Sequence, residues 1–325
     1  MSEDAPAYGT AGVRPVLSLV VPVRDEAANI APFLARASAA LDALALAWEI
    51  VFVDDGSRDA SLPAMLAARQ RDPRIVVVEL TRNFGKEVAL TAGLDHARGE
   101  AIVPIDADLQ HPPELIAELV ARWRAGADMV VAVRRNDAHD GALRGTLSRM
   151  FYALFRRVTA MELPPGSGDF RLLSAPVVAA LRSLPERTRF MKGLYAWVGF
   201  PYVTVPYDVQ PRAEGRSSFG VGRLWRLGSD AIVSFSATPL KIASVAGFAI
   251  AVAALLYGAW LVGKTLVLGI DLPGYASTIA LVLFLGGLQL LSLGVLGEYV
   301  ARIYDEVKAR PLYVVRARHG TDRSP

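Results

Sequence analysis

The segment Ala101-Ile102-Val103-Pro104-Ile105-Asp106-Ala107-Asp108-Leu109-Gln110-His111 passes from an apolar run directly into Asp106, Asp108 and Gln110. A short apolar run closed by polar residues reads as a buried strand that ends where a ligand can reach it. The same change recurs on both sides of it. Val16–Val23 is a β-rich run followed by Arg24, Asp25 and Glu26, and Glu49–Val53 is followed by Asp54, Asp55, Gly56 and Ser57. Ile75–Leu80 leads into Thr81, Arg82, Asn83 and Gly85, and Met129–Val133 into Arg134 and Arg135. Helix-compatible stretches at 26–46, 62–70, 86–97 and 112–125 separate these strands. Strands alternating with helices of this length predict βαβ units and a mostly parallel, Rossmann-like sheet of the α/β class. Five polar strand ends, three of them acidic, describe a cleft that could hold a cation and an anionic ligand.

Beyond Gly141 the pattern is less regular. It predicts helices at 143–159, 175–184 and 188–198, and strands at 169–174 and 202–207. Residues 224–236 mix Trp225, Leu227, Ile232 and Phe235 with Arg223 and Arg226 nearby. This composition suits an amphipathic helix lying on a bilayer, with an ordinary surface helix as the alternative.

The 325 residues are 53% hydrophobic and 21% charged, with a formal net charge of +3 and a mean hydropathy of +0.32. So much apolar material excludes disorder as the main state. Having no cysteine, the chain has no disulfide scaffold, Cys-ligated zinc or cysteine nucleophile. Its four histidines show no paired spacing for a histidine metal cluster. The first residues, MSEDAPAYGTAG, have no apolar core of a signal peptide. The apolar excess lies near the other end. Ile242–Gly263 and Leu272–Gly297 are uncharged runs of 22 and 26 residues. Each is long enough to cross a hydrocarbon core, so two transmembrane helices joined by the loop 264–271 are expected. Basic residues flank the pair on its outer sides: Arg223, Arg226 and Lys241 before, Arg302, Lys308, Arg310, Arg316 and Arg318 after. By the positive-inside rule both flanks and the N-terminal domain are cytoplasmic, in a multi-pass protein of the inner membrane. The expected divisions are a flexible start at 1–15, a cytoplasmic catalytic domain at 16–218, an interfacial helix at 219–238, the membrane pair at 239–300 and a basic tail at 301–325.

In extended backbone Asp106, Asp108 and Gln110 would share one face as three oxygen donors. Oxygen donors suit a hard divalent cation such as Mg²⁺. An isolated Asp-x-Asp also occurs as a pair of solvated loop acids; its place at a strand end favours the cation.

Five segments in order resemble glycosyltransferase family 2: VVPVRDEAANI (20–30), VDDGS (53–57), LTRNFGKEVALTAGLDHARGEAIVPIDADLQHPPEL (80–115), GSGDFRLLS (166–174) and RFMKGLYAWVGF (189–200). The similarity is greatest to the branch holding dolichol-phosphate mannose synthases and polyprenyl-phosphate glucosyltransferases, and it runs from about Val16 to Pro311. It implies a glycosyltransferase A-type fold and an inverting transfer of a sugar, glucose first, from a UDP-sugar to undecaprenyl phosphate. The product would be a polyprenyl-monophosphate sugar for surface-glycan modification. N-acetylglucosamine, galactose, mannose and a 4-amino-arabinose derivative are alternative sugars, and a non-catalytic nucleotide-sugar-binding scaffold is the alternative of another class.

The resemblance also implies residue roles. Pro22, Arg24, Glu26, Val53, Asp54, Asp55, Asp106, Ala107 and Arg134 would bind the nucleotide-sugar. At 24 and 25 the family usually has Tyr and Asn, where this chain has Arg and Asp. Asp106, Asp108 and Gln110 would hold Mg²⁺ or Mn²⁺, and Asp108 and Asp169 would be catalytic. Arg212, Arg216 and Ser217 would grip the acceptor phosphate, a role guanidinium groups fill through paired charge-assisted hydrogen bonds. The expected partners are the donor, the polyprenyl phosphate, the lipid bilayer and further copies of the chain; nucleic acid is not among them. A Gln-x-x-Arg-Trp motif of processive relatives is missing around Arg187, Arg189, Lys192 and Trp197, which argues against polymer synthesis.

Overall fold

The computed structural model describes residues 14–135, 166–187, 189–208, 238–268 and 274–320. The helices expected at 143–159 and 224–236, and the loop with Arg212, Arg216 and Ser217, lie outside these residues. The strands are β1 (Leu17–Val23), β2 (Trp48–Asp54), β3 (Ile75–Leu80), β4 (Ala101–Pro104), β5 (Met129–Arg134), β6 (Ser167–Ser174), β7 (Tyr202–Tyr207) and β8 (Val315–His319). The helices are α1 (Ala27–Asp42), α2 (Ser61–Arg71), α3 (Lys86–His96), α4 (Ile116–Arg124), α5 (Ala175–Ser183), α6 (Met191–Trp197), α7 (Thr238–Leu268) and α8 (Tyr275–Lys308). The segment expected as one helix at 112–125 begins instead with a 3-10 turn, Pro113–Leu115.

Among the described residues the sheet has eight strands in the order β7-β5-β6-β4-β1-β2-β3-β8. The β4-β1-β2-β3 block is parallel. β6 runs antiparallel between β4 and β5, and β5 and β7 are parallel to each other. β1 and β2 are Val/Ile/Leu-rich and almost wholly buried, as strands covered on both faces must be. α3 approaches them closely, because a Cβ on Gly93 would collide with the side chain of Val20. From β1 the chain winds outward through β2 and β3, then returns to place β4 on the other side of β1. Such a reversal opens a crevice at the carboxyl ends of the two strands.

At the opposite end of these strands an ion pair between the buried Glu49 and the half-buried Arg98 ties three segments together. Glu49 accepts hydrogen bonds from Ser18 Oγ (2.7 Å) and from the backbone N–H (2.7 Å), Nε (2.9 Å) and NH2 (2.8 Å) of Arg98. Gly99 N–H in turn donates to Ser18 Oγ (2.8 Å).

The helix expected at 188–198 begins as α6 at Met191 and ends at Trp197, and the C-terminal region differs further from the sequence expectation. The C-terminal stretch, read as a basic tail, continues α8 to Lys308 and then supplies β8, antiparallel to β3. Thr81 N–H donates to Val314 O (3.0 Å), Arg316 pairs with Glu79 (3.1 Å), and Tyr313 Oη donates to Asp95 (2.9 Å). Alternating charge on Arg316 and Arg318 hides an edge strand. Of the loop expected at 264–271, residues 264–268 belong to α7; the end of an uncharged run need not end a helix. α7 and α8 contain 31 and 34 residues. Both are long and apolar enough to cross a membrane, and Val245, Phe248, Leu255, Leu256 and Trp260 point outward. Contacts divide the chain into two units, 1–220 with 311–325, and 221–310.

Replacing Glu49 with Ala leaves the Arg98 charge and the Ser18 hydroxyl without their partner. A loss of about 1.5–3 kcal/mol is expected, read as a fall in the Tm of the purified protein.

Candidate active site

The crevice is lined from the ends of β1, β2, β4 and β6. The turns after β1 and β2 are laced together: Asp25 N–H donates to Ser57 Oγ (3.2 Å), Arg58 N–H to Asp25 (2.7 Å), Glu26 N–H to Ser61 Oγ (2.8 Å) and Ala27 N–H to Asp59 (3.1 Å). Asp25 adopts φ +53°, and Gly56 φ +68°. At Gly56 a Cβ would stand 2.6 Å from the Asn83 nitrogen, so only glycine fits. Pro22 and Val53 are paired neighbours in β1 and β2. The Arg24 side chain is exposed, and Glu26 accepts from the Asn29 side-chain amide.

Asp54 and Asp55 are buried. Asp54 accepts from Ser57 N–H (3.2 Å). Asp55 accepts from Phe84 N–H (2.6 Å) and Gly85 N–H (3.0 Å), one on each oxygen. A carboxylate has about four acceptor positions, so Asp55 can fix the β3–α3 turn and still accept further hydrogen bonds. Burial pushes both carboxyls up, partly offset by these hydrogen bonds.

After β4 the backbone is not extended as the alternating pattern assumed. β4 stops at Pro104, and Leu109 turns with φ +60°. Gln110 N–H donates to Asp108 Oδ1 (3.1 Å). The turn brings Asp106, Asp108 and His111 together, with ligand-capable atoms all within 4.8 Å of one another. His111 is buried, its Nδ1 has no hydrogen-bond partner, and its ring lies against Phe170 (5.2 Å) and Tyr207 (5.8 Å). Burial holds the imidazole below its usual pKa, leaving it neutral and able to ligate. Two carboxylates and a neutral imidazole with an unsatisfied buried nitrogen fit a divalent cation. Arg134, at the end of β5, is exposed and interacts with the Tyr207 hydroxyl.

Asp169 stands inside β6, which begins at Ser167, two residues before the strand expected at 169–174. It meets Lys86, the first residue of α3, which sequence reasoning passed over as helix. Lys86 Nζ lies 2.6 and 2.8 Å from the two Asp106 oxygens and 3.2 Å from Asp169 Oδ2. The available signal was its position, directly after a polar strand end. His111 was missed because it follows the acidic motif.

Residues 18–182 match the family described as glycosyl transferase family 2, and residues 238–303 match the one described as GtrB C-terminal hairpin. The chain is 47% identical over 309 residues to an uncharacterized glycosyltransferase of Synechocystis sp., covering 95% of this chain and 97% of that one. The chain belongs to glycosyltransferase family 2. It is also 45% identical over 303 residues to a prophage-derived bactoprenol glucosyl transferase of Shigella flexneri, covering 93% of this chain and 98% of that one. Among solved structures it is similar to a mannosyltransferase from Pyrobaculum calidifontis in complex with GDP-Man and Mn²⁺ (23% identity, 77% of this chain, 81% of that chain, TM-score 0.46).

The electrostatics of the glycosyltransferase site follow from this packing. Burial raises the Asp169 carboxyl, but Lys86, Lys192 and Arg171 outweigh it and hold the group below its ordinary value. Glu87, next to Lys86, accepts from Met191 N–H (2.8 Å). Burial, reinforced by the charge on Asp169, pushes its carboxyl up to about 7. Arg171 is buried, with its guanidinium 3.9 Å from the centre of the Tyr195 ring.

Because the folded pKa of Glu87 lies above the value of about 4.3 in an unfolded chain, the folded state holds its proton more tightly. Stability from this group is full below the unfolded value and is lost as pH rises through about 7. Glu87→Gln keeps the acceptor for Met191 N–H and removes the titration. Its Tm relative to the parent protein should therefore rise between pH 5 and pH 8. A constant difference would show that Glu87 does not titrate in that interval.

Proposed function

We propose that the protein transfers glucose, with inversion, from UDP-glucose to polyprenyl phosphate at the cytoplasmic face of the inner membrane. The observation that carries this reading is the likeness to a bactoprenol glucosyl transferase along the catalytic sheet and the apolar hairpin together. Pro22, Arg24, Glu26, Val53, Asp54 and Asp55 would hold the nucleoside, with Asp106, Ala107 and Arg134 toward its phosphates. Asp106, Asp108 and His111, with Gln110 on the same turn, would hold Mg²⁺ or Mn²⁺. A cation bound there supplies counter-charge for the leaving diphosphate.

The acceptor is a phosphate, already an anion at neutral pH. Its attack on the anomeric carbon needs orientation and charge balance more than a strong base. Asp169, kept ionised by its cations, is suited to receive a hydrogen bond from the sugar or to orient the acceptor. Arg212, Arg216 and Ser217 would receive the acceptor phosphate.

Purified protein should convert labelled UDP-glucose and undecaprenyl phosphate to a β-linked lipid-phosphate glucose, and do so poorly with UDP-N-acetylglucosamine, UDP-galactose or GDP-mannose. Asp108→Ala should cost on the order of 3 kcal/mol in transition-state stabilisation, about a hundredfold in rate. Preference for another donor would overturn the sugar; full activity after verified cation removal would overturn the cation.

Connectivity supports two membrane crossings. The chain leaves the catalytic unit before α7 and returns to its sheet as β8 after α8. At 1.5 Å per residue α7 and α8 are about 46 and 51 Å long, ample for a hydrocarbon core of about 30 Å. A reporter fused at the C-terminus should read cytoplasmic, and one inserted at Gly269 periplasmic. The reverse pattern would invert the orientation.

A further inference from the structure

We propose that Lys86 is a positioning residue that ties Asp106 to Asp169 and competes with the divalent cation for Asp106. The inference rests on the reading of this crevice as the donor site and goes further, assigning a function to a side chain outside the acidic motif.

Three observations carry it. First, both Asp106 oxygens lie within 2.8 Å of the Lys86 ammonium, and Asp169 lies at 3.2 Å. Asp106 is also a member of the group with Asp108 and His111. Ammonium and cation therefore draw on the same carboxylate. Second, the ammonium is delivered by a backbone fixed on both sides. Asp55 holds the Phe84 and Gly85 N–H groups, Gly85 adopts φ +99°, and Glu87 holds Met191 N–H. Third, a lysine at the first position of a helix faces the positive end of the macrodipole, an unfavourable place for a cation. The two carboxylates offset that cost.

The consequence is a coupling between the two halves of the site. A cation on Asp106 weakens the hold of that carboxylate on Lys86 and leaves Asp169 as the stronger partner. Occupation of Asp106 by the cation then biases the charge at Asp169.

The test is Mn²⁺ titration of the full-length, nucleotide-free protein, read by the loss of the free Mn²⁺ electron paramagnetic resonance signal. Lys86→Met removes the competitor and should bind Mn²⁺ about tenfold more tightly. Lys86→Arg keeps the charge and should stay near the parent. Lys86→Gln repeats the neutral case should the methionine variant not fold. At saturating Mn²⁺, the neutral variant should lose about tenfold in kcat with a much smaller change in KM for UDP-glucose. A general loss of structure would weaken Mn²⁺ binding, the opposite direction. Equal or weaker Mn²⁺ affinity in the neutral variants, or no Mn²⁺ binding in any form, overturns the proposal. The titration needs neither sugar donor nor lipid, so failure to transfer glucose would sink the functional reading and leave this one standing.

Discussion

Five carboxylates, Asp54, Asp55, Asp106, Asp108 and Asp169, are gathered where the strands around β1 end or, at β6, run past, and each must be compensated there. A buried charge without a partner costs several kcal/mol, so the surrounding chain is arranged to supply partners. Backbone N–H groups serve Asp54 and Asp55. One ammonium serves Asp106 and Asp169 together. The Gly56 turn, the left-handed Leu109 and the start of α3 at Lys86 all follow from bringing those donors within reach. In the crevice, charge balance and backbone geometry rest on the same set of contacts.

The parallel half of the sheet was legible in the sequence, since strands buried on both faces leave unbroken Val/Ile/Leu runs and helices between them leave a longer period. β1 lies within one residue of where the pattern places it, and β3 and, outside that half, β7 match it residue for residue. The antiparallel β6 and the edge strand β8 are harder to read. β6 carries Asp169 and Arg171 within its length, and β8 alternates basic residues with small ones. Both owe their place to neighbours distant in sequence, which no local period records. The acidic ends of β2 and β4 were equally legible. Their partners were not, because a Lys or His becomes a site residue only when the fold turns it inward. Lys86 looks like an ordinary helical lysine, and His111 like the residue after a motif.

The return of the chain as β8 constrains the hairpin as well as the sheet. α7 and α8 expose apolar side chains along their length, a surface that water disfavours and lipid accepts. Yet the segment beyond α8 is hydrogen-bonded to β3 and pinned by Tyr313 to Asp95. A sheet cannot be assembled from strands on opposite sides of a bilayer. An odd number of crossings between β7 and β8 is therefore incompatible with this pairing, and the same conclusion follows independently from the basic residues flanking the hairpin.

The electrostatics also bear on what kind of catalysis the site can perform. A general base works best with a pKa near the working pH. Asp169 is held in the other direction by Lys86, Lys192 and Arg171, which makes it a poor proton acceptor and a stable anion. For a sugar hydroxyl acceptor this would be a defect. For a phosphate acceptor it is not, since there is no proton to remove before attack. In the proposed transfer, what remains to be supplied is a place for three negative groups, donor diphosphate, acceptor phosphate and Asp169, close to one another. Arg134, Lys86, Lys192 and Arg171 provide positive charge on the protein side, and the Asp106, Asp108 and His111 group offers a seat for more. On the proposed reading, positive charge held around a carboxylate that need not act as a base suits the transfer of a sugar from a diphosphate to a phosphate.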